Sequence, residues 1–195
     1  LTGSIIGILL AAGSSQRFGA DKLTQILPDG DMVAVQACRH LLAGTDGVIA
    51  VVRPGNPTLV AQLREVGAEV LVCENASQGM GVSLACGIQA SVNAAGWLVA
   101  LADMPWIKPA TIQTIANLVR QGAIIAAPSW QGKRGHPVGF AHVLGLELSA
   151  LQGDSGAKSV IQAHREHLSV FDCDDPGVLW DIDKPEDLFN LKPSH

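Results

Sequence analysis

Short aliphatic runs alternate along this chain with longer stretches in which apolar residues recur every three or four positions, the pattern of an α/β sheet with crossover helices. The runs predict strands over residues 5–12, 47–52, 69–73, 97–101 and 124–128, and the helical periodicity predicts helices over 34–42, 58–66, 82–94 and 109–120. Each connection is long enough for a right-handed crossover, so the sheet is expected to be mostly parallel. Pro54 and Pro57 interrupt the chain after the second run, while Pro109 suits the first turn of a helix that Gln121-Gly122 ends. After Gly132 the pattern loosens. An extended Gly/Pro-rich piece over 135–140, helices over 143–151 and 157–164, a strand over 168–171 and a last helix from Pro185 predict an elaborated edge on one domain spanning 1–195.

The first run, Ile5 to Ala12, is apolar enough for a strand covered on both faces, and it leads directly into a glycine-rich, cationic segment ending at Lys22. Small residues there let backbone N–H groups approach an anion that Arg17 and Lys22 can clamp, so the segment reads as a triphosphate cradle. It is not a Walker loop, because Gly19 is followed by Ala20, Asp21 and Lys22, and the chain has no G-x-G-x-x-G.

Ligands of an open parallel sheet collect at the carboxyl ends of the strands, which gives weight to the residues just beyond each run. Asp103 follows the fourth run directly, in a turn set by Pro105. A carboxylate so placed suits Mg²⁺, which takes one or two carboxylates together with phosphate oxygens and water. The second carboxylate is expected in Asp181-Ile182-Asp183-Lys184-Pro185, where alternation puts Asp181 and Asp183 on one side of an extended segment. Asp183 is the preferred ligand, with helix capping as its competing use. The segment from Asn75 to Leu84 combines Gly79 and Gly81 with Ser77, Gln78 and Ser83 just before a helix, a composition suited to reading a nucleobase through backbone groups and Ser83. Lys133-Arg134-Gly135-His136-Pro137 places two cations and a histidine in a tight turn, which suits a second anionic substrate. His164 and His167 read as a solvated helix end, since no third metal ligand accompanies them.

Composition narrows the partners. The 195 residues are 48% hydrophobic with a formal net charge of −5 and no dense basic run, which argues against a general nucleic-acid surface. The longest early apolar run is far too short to span a bilayer and lacks the flanks of a signal peptide, so a cytoplasmic location is expected. Cys38, Cys73, Cys86 and Cys173 are scattered without C-x-x-C spacing and read as buried free thiols.

Taken together, Leu10-Ala11-Ala12-Gly13-Ser14-Ser15-Gln16-Arg17-Phe18-Gly19 with Lys22, Gln78-Gly79-Met80-Gly81-Val82-Ser83-Leu84, Asp103-Met104-Pro105, Arg134-Gly135-His136-Pro137-Val138, Gly153-Asp154-Ser155-Gly156-Ala157 and Asp181–Asp187 resemble the MobA-like nucleotidyltransferase family, and within it the molybdenum cofactor cytidylyltransferase branch. The resemblance covers nearly the whole chain. It implies a Rossmann-like three-layer nucleotidyltransferase fold, NTP phosphates over Gly13, Ser14, Ser15 and Arg17 with Lys22, base selection by Ala12 and by Gly79, Met80, Gly81 and Ser83, and Mg²⁺ on Asp103 and Asp183. It also implies a pterin-facing wall around Arg134 and His136 and around Asp154 and Lys158. The guanylyltransferase branch typically carries Leu-Ala-Gly-Gly where this chain has Leu10-Ala11-Ala12-Gly13, which favours CTP over GTP. Phe18 departs from the methionine usual there.

The implied reaction is Mg²⁺-dependent transfer of CMP from CTP to the terminal phosphate of molybdenum-bound molybdopterin, with Arg17, Lys22 and Asp103 carrying the charge balance. A molybdenum hydroxylase, or its maturation chaperone, is the implied recipient of the product. Two other readings share many of these residues: a cytidylyltransferase acting on a sugar or polyol phosphate, and a non-catalytic carrier of the nucleotide cofactor.

Overall fold

The computed structural model describes residues 3–13 and 21–189. Its strands are β1 (Ile5–Ala11), β2 (Gly47–Val52), β3 (Glu69–Val72), β4 (Gly96–Leu101), β5 (Ile125–Trp130), β6 (Lys133–Arg134), β7 (Val138–Ala141) and β8 (Leu168–Asp172). The helices are α1 (Val33–Gly44), α2 (Pro57–Glu65), α3 (Met80–Ala90), α4 (Pro109–Arg120), α5 (Gly145–Ser149) and α6 (Lys158–Ala163). The strands form one mixed sheet in the order β3-β2-β1-β4-β7-β5-β6, with β8 also paired to β5. β1, β2, β3 and β4 are mutually parallel, as is the β5–β8 pair, whereas β7 runs antiparallel to both β4 and β5.

Alternation along the strands divides the core into two sides of the sheet. Ile5 and Leu9 of β1, Val48 and Ala50 of β2, and Leu98 and Ala100 of β4 pack with Leu41 of α1 and Ile112 and Ile115 of α4. Ile8, Ile49, Val51, Trp97 and Val99 face the other way, against Leu84 and Ile88 of α3 and Val160 of α6. The helices lie close to the sheet. A methyl on Gly7 would stand 2.6 Å from Leu41 Cγ, and one on Gly87 would stand 2.8 Å from Ile8 Cγ2. The result is a three-layer Rossmann-like fold whose β1, β2, β3 and β4 all point their carboxyl ends the same way.

The expected strands and main helices form, with short shifts at their ends. α4 spans the expected 109–120, and α2 begins at Pro57 because the Asn56 side chain accepts from Leu59 N. The helix expected over 82–94 starts earlier, at Met80, and stops at Ala90. There Ser91 Oγ donates to Gly87 O at 2.8 Å and accepts from Trp97 Nε1 at 2.9 Å, an alternative to continuing the helical ladder. The helix expected over 143–151 is divided into a 3₁₀ turn (His142–Leu144) and the five-residue α5. The final helix expected from Pro185 is a 3₁₀ segment, Pro185–Phe189. Among the described residues, no helix is long and apolar enough to cross a membrane.

Candidate active site

The carboxyl ends of β1 through β4 open into a cleft of about 930 Å³, lined by Leu10, Ala12, Gly13, Lys22, Leu23, Arg53, Pro54, Glu74, Ala76, Ser77, Gly79, Met80, Ser83, Leu101, Asp103 and Asp154. Described residues of three segments expected at strand ends, Gly13 and Lys22 from the first, Glu74 to Ser83 from the second and Asp103 from the third, therefore line one cavity. Ser14, Ser15 and Arg17 lie outside the described residues.

Lys22 is placed by its neighbours in sequence. It opens a 3₁₀ turn (Lys22–Thr24) that Asp21 caps by accepting from Leu23 N, while the Leu23 side chain is buried in the core. Asn56 Nδ2 donates to the other oxygen of Asp21 and ties the turn to the start of α2. From this base Lys22 Nζ reaches Asp103 Oδ2 at 2.7 Å and Asp183 Oδ1 at 3.6 Å.

The two carboxylates come together through one backbone bond: Ile182 N donates to Asp103 O at 2.9 Å. The Ile182 side chain is fully buried beside Leu27, Val33 and Leu188, so its neighbours Asp181 and Asp183 are turned outward. Asp181 is also drawn into this group. Partial burial, with the charges of Asp103 and Asp183 adding to it, pushes its pKa above the ordinary aspartate range.

Asp103 Oδ1 is buried and has no hydrogen-bond partner among the described residues. An orphaned carboxylate oxygen beside a second carboxylate fits a divalent cation. No group of three His, Cys, Asp or Glu among the described residues is arranged to hold a metal, so the fit is to a cation whose shell is completed by substrate phosphate and water.

The opposite wall of the cleft is built on glycine. Gly79 has φ +125°, and a methyl there would come within 2.4 Å of the Gly153 backbone and 2.5 Å of an Asp154 carboxylate oxygen. Gly81 N donates to Gly153 O at 2.7 Å. The start of α3 is thereby seated against the 153–154 turn, which brings Asp154 into the same cleft as Met80 and Ser83.

The turn at Arg134–His136 lies beside this site. Gly135 N donates to Pro128 O at 2.8 Å, and His136 N donates to Val178 O at 2.9 Å. Burial lowers the His136 pKa against the opposing pull of Asp103, and the Arg134 charge lowers it further, which disfavours the imidazolium form. Arg134 and Lys158 are exposed, on β6 and at the first position of α6 respectively. Neither is among the residues that line the 930 Å³ cleft.

The MobA-like NTP transferase domain family matches residues 7–168. This chain belongs to that family. A MobA-like transferase of this kind is a nucleotidyltransferase. Among curated relatives, purine catabolism protein PucB of Bacillus subtilis is 28% identical, covering 94% of this chain and 93% of its own. Nicotine blue oxidoreductase of Paenarthrobacter nicotinovorans is 27% identical with 96% of each chain covered. A probable molybdenum cofactor guanylyltransferase of Mycobacterium avium is 28% identical over 66% of this chain and 64% of its own. Among solved structures, Rv0371c of Mycobacterium tuberculosis superposes with a TM-score of 0.84 at 26% identity, covering 98% of both chains. A manganese complex of Rv0371c gives 0.79 at 25% identity, covering 98% of this chain and all of the other.

Within this MobA-like site, Arg53 and Glu74 were not singled out as site residues from sequence, although both line the cleft. Arg53 directly follows β2, and only Cys73 separates Glu74 from the end of β3. Both stand where ligands of an open α/β sheet gather, so the strand-end rule reaches them as well.

Proposed function

We propose that this chain transfers CMP from CTP to the terminal phosphate of molybdenum-bound molybdopterin, giving the cytosine dinucleotide form of the cofactor and pyrophosphate. The observation that carries the reading is the position of Lys22, bridging Asp103 and Asp183 in the cleft that also contains Ala12 and the Gly79–Ser83 wall. A cationic amine and a carboxylate pair suited to a divalent ion stand beside a partly apolar slot, as a metal-bound nucleoside triphosphate requires.

An oxygen of the acceptor phosphate attacks the α-phosphorus of CTP, the bond from that phosphorus to the bridging oxygen breaks, and pyrophosphate leaves. The attacking oxygen is already ionised near neutral pH, so the principal task is to bring polyanions together in line. Mg²⁺ held by Asp103 and Asp183 would supply charge screening and polarise the phosphoryl oxygens. Lys22, with Arg17, stabilises charge on the departing pyrophosphate. Gly13, with Ser14 and Ser15, offers backbone groups to the phosphates. Ala12 and the wall formed by Gly79, Met80, Gly81 and Ser83 hold the base, with Leu10 and Ala11 leading β1 up to it. Arg134, His136, Asp154 and Lys158 are assigned to the acceptor side. A molybdenum hydroxylase or its chaperone receives the product.

The relative named as a molybdenum cofactor guanylyltransferase supports the acceptor class, and the manganese complex of Rv0371c supports a divalent ion. Incubation with Mg²⁺, molybdenum-bound molybdopterin and each labelled nucleoside triphosphate in turn tests the reading. The expected product carries CMP and appears with one pyrophosphate. A product formed only from GTP overturns the base assignment, transfer only to a sugar or polyol phosphate overturns the acceptor, and cofactor binding without pyrophosphate release would make the chain a carrier.

A further inference from the structure

Cys73 directly follows β3 and Cys86 lies midway along α3, yet their Sγ atoms are 2.7 Å apart. Both are free thiols. This is closer than the ordinary nonbonded contact of two sulfurs. The intervening segment carries six cleft-lining residues, Glu74, Ala76, Ser77, Gly79, Met80 and Ser83. A covalent link between the thiols would therefore close a ring around this entire wall of the nucleotide cleft.

The two thiols differ in access. Cys73 is 2% exposed. Cys86 is half-buried and borders a second cavity of about 440 Å³, shared with Gln78, Gln89 and Gln152, on a side of α3 away from the cleft centre. A small reagent can meet Cys86 there without entering the nucleotide cleft. Cys38 is fully buried, and burial pushes its thiol up to about 12 against the pull of Arg39. Cys173 donates to Ser129 O at 3.3 Å. Neither has a second thiol beside it, so the pair is the place where oxidation can end in an internal bond.

We propose that Cys73 and Cys86 form a reversible disulfide by exchange with a low-molecular-weight disulfide such as glutathione disulfide, and that closure fixes the 74–85 segment and weakens nucleotide binding. The second half rests on the reading of the cleft as a nucleotide site. In the first step Cys86, as thiolate, attacks one sulfur of the reagent, forming a mixed disulfide and releasing one small thiolate. Cys73 then gives up its proton to the released thiolate and attacks Cys86 Sγ, breaking the mixed disulfide and releasing the second small thiolate, which takes from solvent the proton that Cys86 had lost. Two protein thiols lose two electrons and the reagent gains them. Burial, with the bond to Cys86 adding to it, pushes Cys73 up to about 11, which assigns it the resolving role. Its proximity to Cys86 compensates for a small thiolate fraction. The seating of Gly79 and Gly81 against Gly153 leaves no room for this wall to shift freely once it is tethered, so a tether there is felt at the base-binding side.

The test compares the intact protein after glutathione disulfide, after subsequent dithiothreitol, and as a Cys86→Ser variant. Peptide mapping should find a Cys73–Cys86 link after the oxidant, with titratable thiols falling from four to two and dithiothreitol restoring them. Amide hydrogen exchange over 74–85 should slow, and the dissociation constant of the nucleoside triphosphate bound best by the reduced protein should rise about fivefold or more. Cys86→Ser should keep its affinity unchanged under the oxidant. Four persistent thiols, a lasting mixed disulfide, a link to another cysteine, or a linked protein with unchanged affinity would each overturn the proposal. If the reduced protein binds none of the four common nucleoside triphosphates, the nucleotide reading fails by itself. The thiol count and the exchange rates then decide the bridge alone.

Discussion

Lys22 Nζ stands 2.7 Å from Asp103 Oδ2, joining the 3₁₀ turn that Lys22 opens to the carboxyl end of β4. The pair is only partly exposed, at 17% and 19% for the two side chains, so its field is less screened than that of a surface ion pair. Lys22→Ala and Asp103→Asn are each expected to lower kcat for nucleotidyl transfer by about 10²-fold or more, the scale for losing one preorganised charge. Circular dichroism and the melting midpoint should show the fold retained. Near-wild-type turnover in either variant removes the assigned role.

Metal dependence should divide between the carboxylates. Asp103 presents a buried oxygen without a hydrogen-bond partner among the described residues, whereas Asp183 is exposed and stands farther from Lys22, at 3.6 Å. EDTA should abolish transfer, with Mg²⁺ or Mn²⁺ restoring it. Asp183→Asn should raise the metal concentration giving half-maximal rate by about tenfold, because one charged oxygen ligand is lost while the other remains. A metal titration unchanged by Asp183→Asn would make this residue only a partner of Lys22.

Much of this site was legible because its residues obey rules local in sequence. Asp103 follows an uninterrupted apolar strand, and the alternation of Asp181 and Asp183 about Ile182 follows from extended geometry alone. Their meeting was not local: it depends on the Ile182 N to Asp103 O bond across the fold. The same distinction explains the edge of the sheet. The 135–140 segment reads as extended, but nothing in it says that β7 inserts antiparallel between β4 and β5. Cys73 and Cys86 likewise lack a spacing signal, since their contact arises from packing α3 against the sheet. The division of the helix expected over 143–151 has a tertiary aspect too, for a methyl on Gly145 would stand 2.8 Å from the Trp97 ring.

Two glycines that face each other should respond differently to alanine. Gly79→Ala meets both an unfavourable φ of +125° and the backbone of Gly153 at 2.4 Å, so about 2–4 kcal/mol of stability should be lost and nucleotide affinity should fall with it. Gly153 has φ +66° with nothing within 4 Å of the added methyl. Gly153→Ala should cost only about 1 kcal/mol, from the backbone alone. Denaturant unfolding measures both. Equal losses would mean that the close seating of the two loops contributes nothing.

Asp46 fastens the start of β1. It accepts from Ile5 N at 2.7 Å and from Arg120 Nη2 at 2.6 Å. Partial burial opposes ionisation, but the Ile5 N–H and the Arg120 guanidinium outweigh it and bring the pKa below 3.8. With the folded value below the unfolded one, the stabilisation is fully present above about pH 4 and fades as pH falls through the folded value. The Asp46 side chain is 44% exposed, so Asp46→Asn should lower stability at pH 7 by only about 0.5–1 kcal/mol and leave a shallower loss of stability on acidification below pH 4. An acid limb identical to that of the unaltered protein would show that Asp46 does not contribute to it.

Base choice is expected to turn on one methyl group. Ala12 lines the cleft and packs against the cluster containing Ile8, Val51 and Leu84, so under the proposed reading its methyl narrows the base slot at the end of β1. One methylene in an apolar pocket is worth about 1–3 kcal/mol, or about 10–200-fold in kcat/KM. Ala12→Gly should therefore move the ratio of kcat/KM for CTP to that for GTP toward GTP by about tenfold or more, chiefly by admitting the larger purine. Measuring each triphosphate singly and then in competition separates admission from discrimination. A widened slot that accepts GTP while CTP turnover persists supports steric selection at Ala12. An unchanged ratio would assign selection to the opposite wall, where Gly79 and Ser83 meet the same cleft.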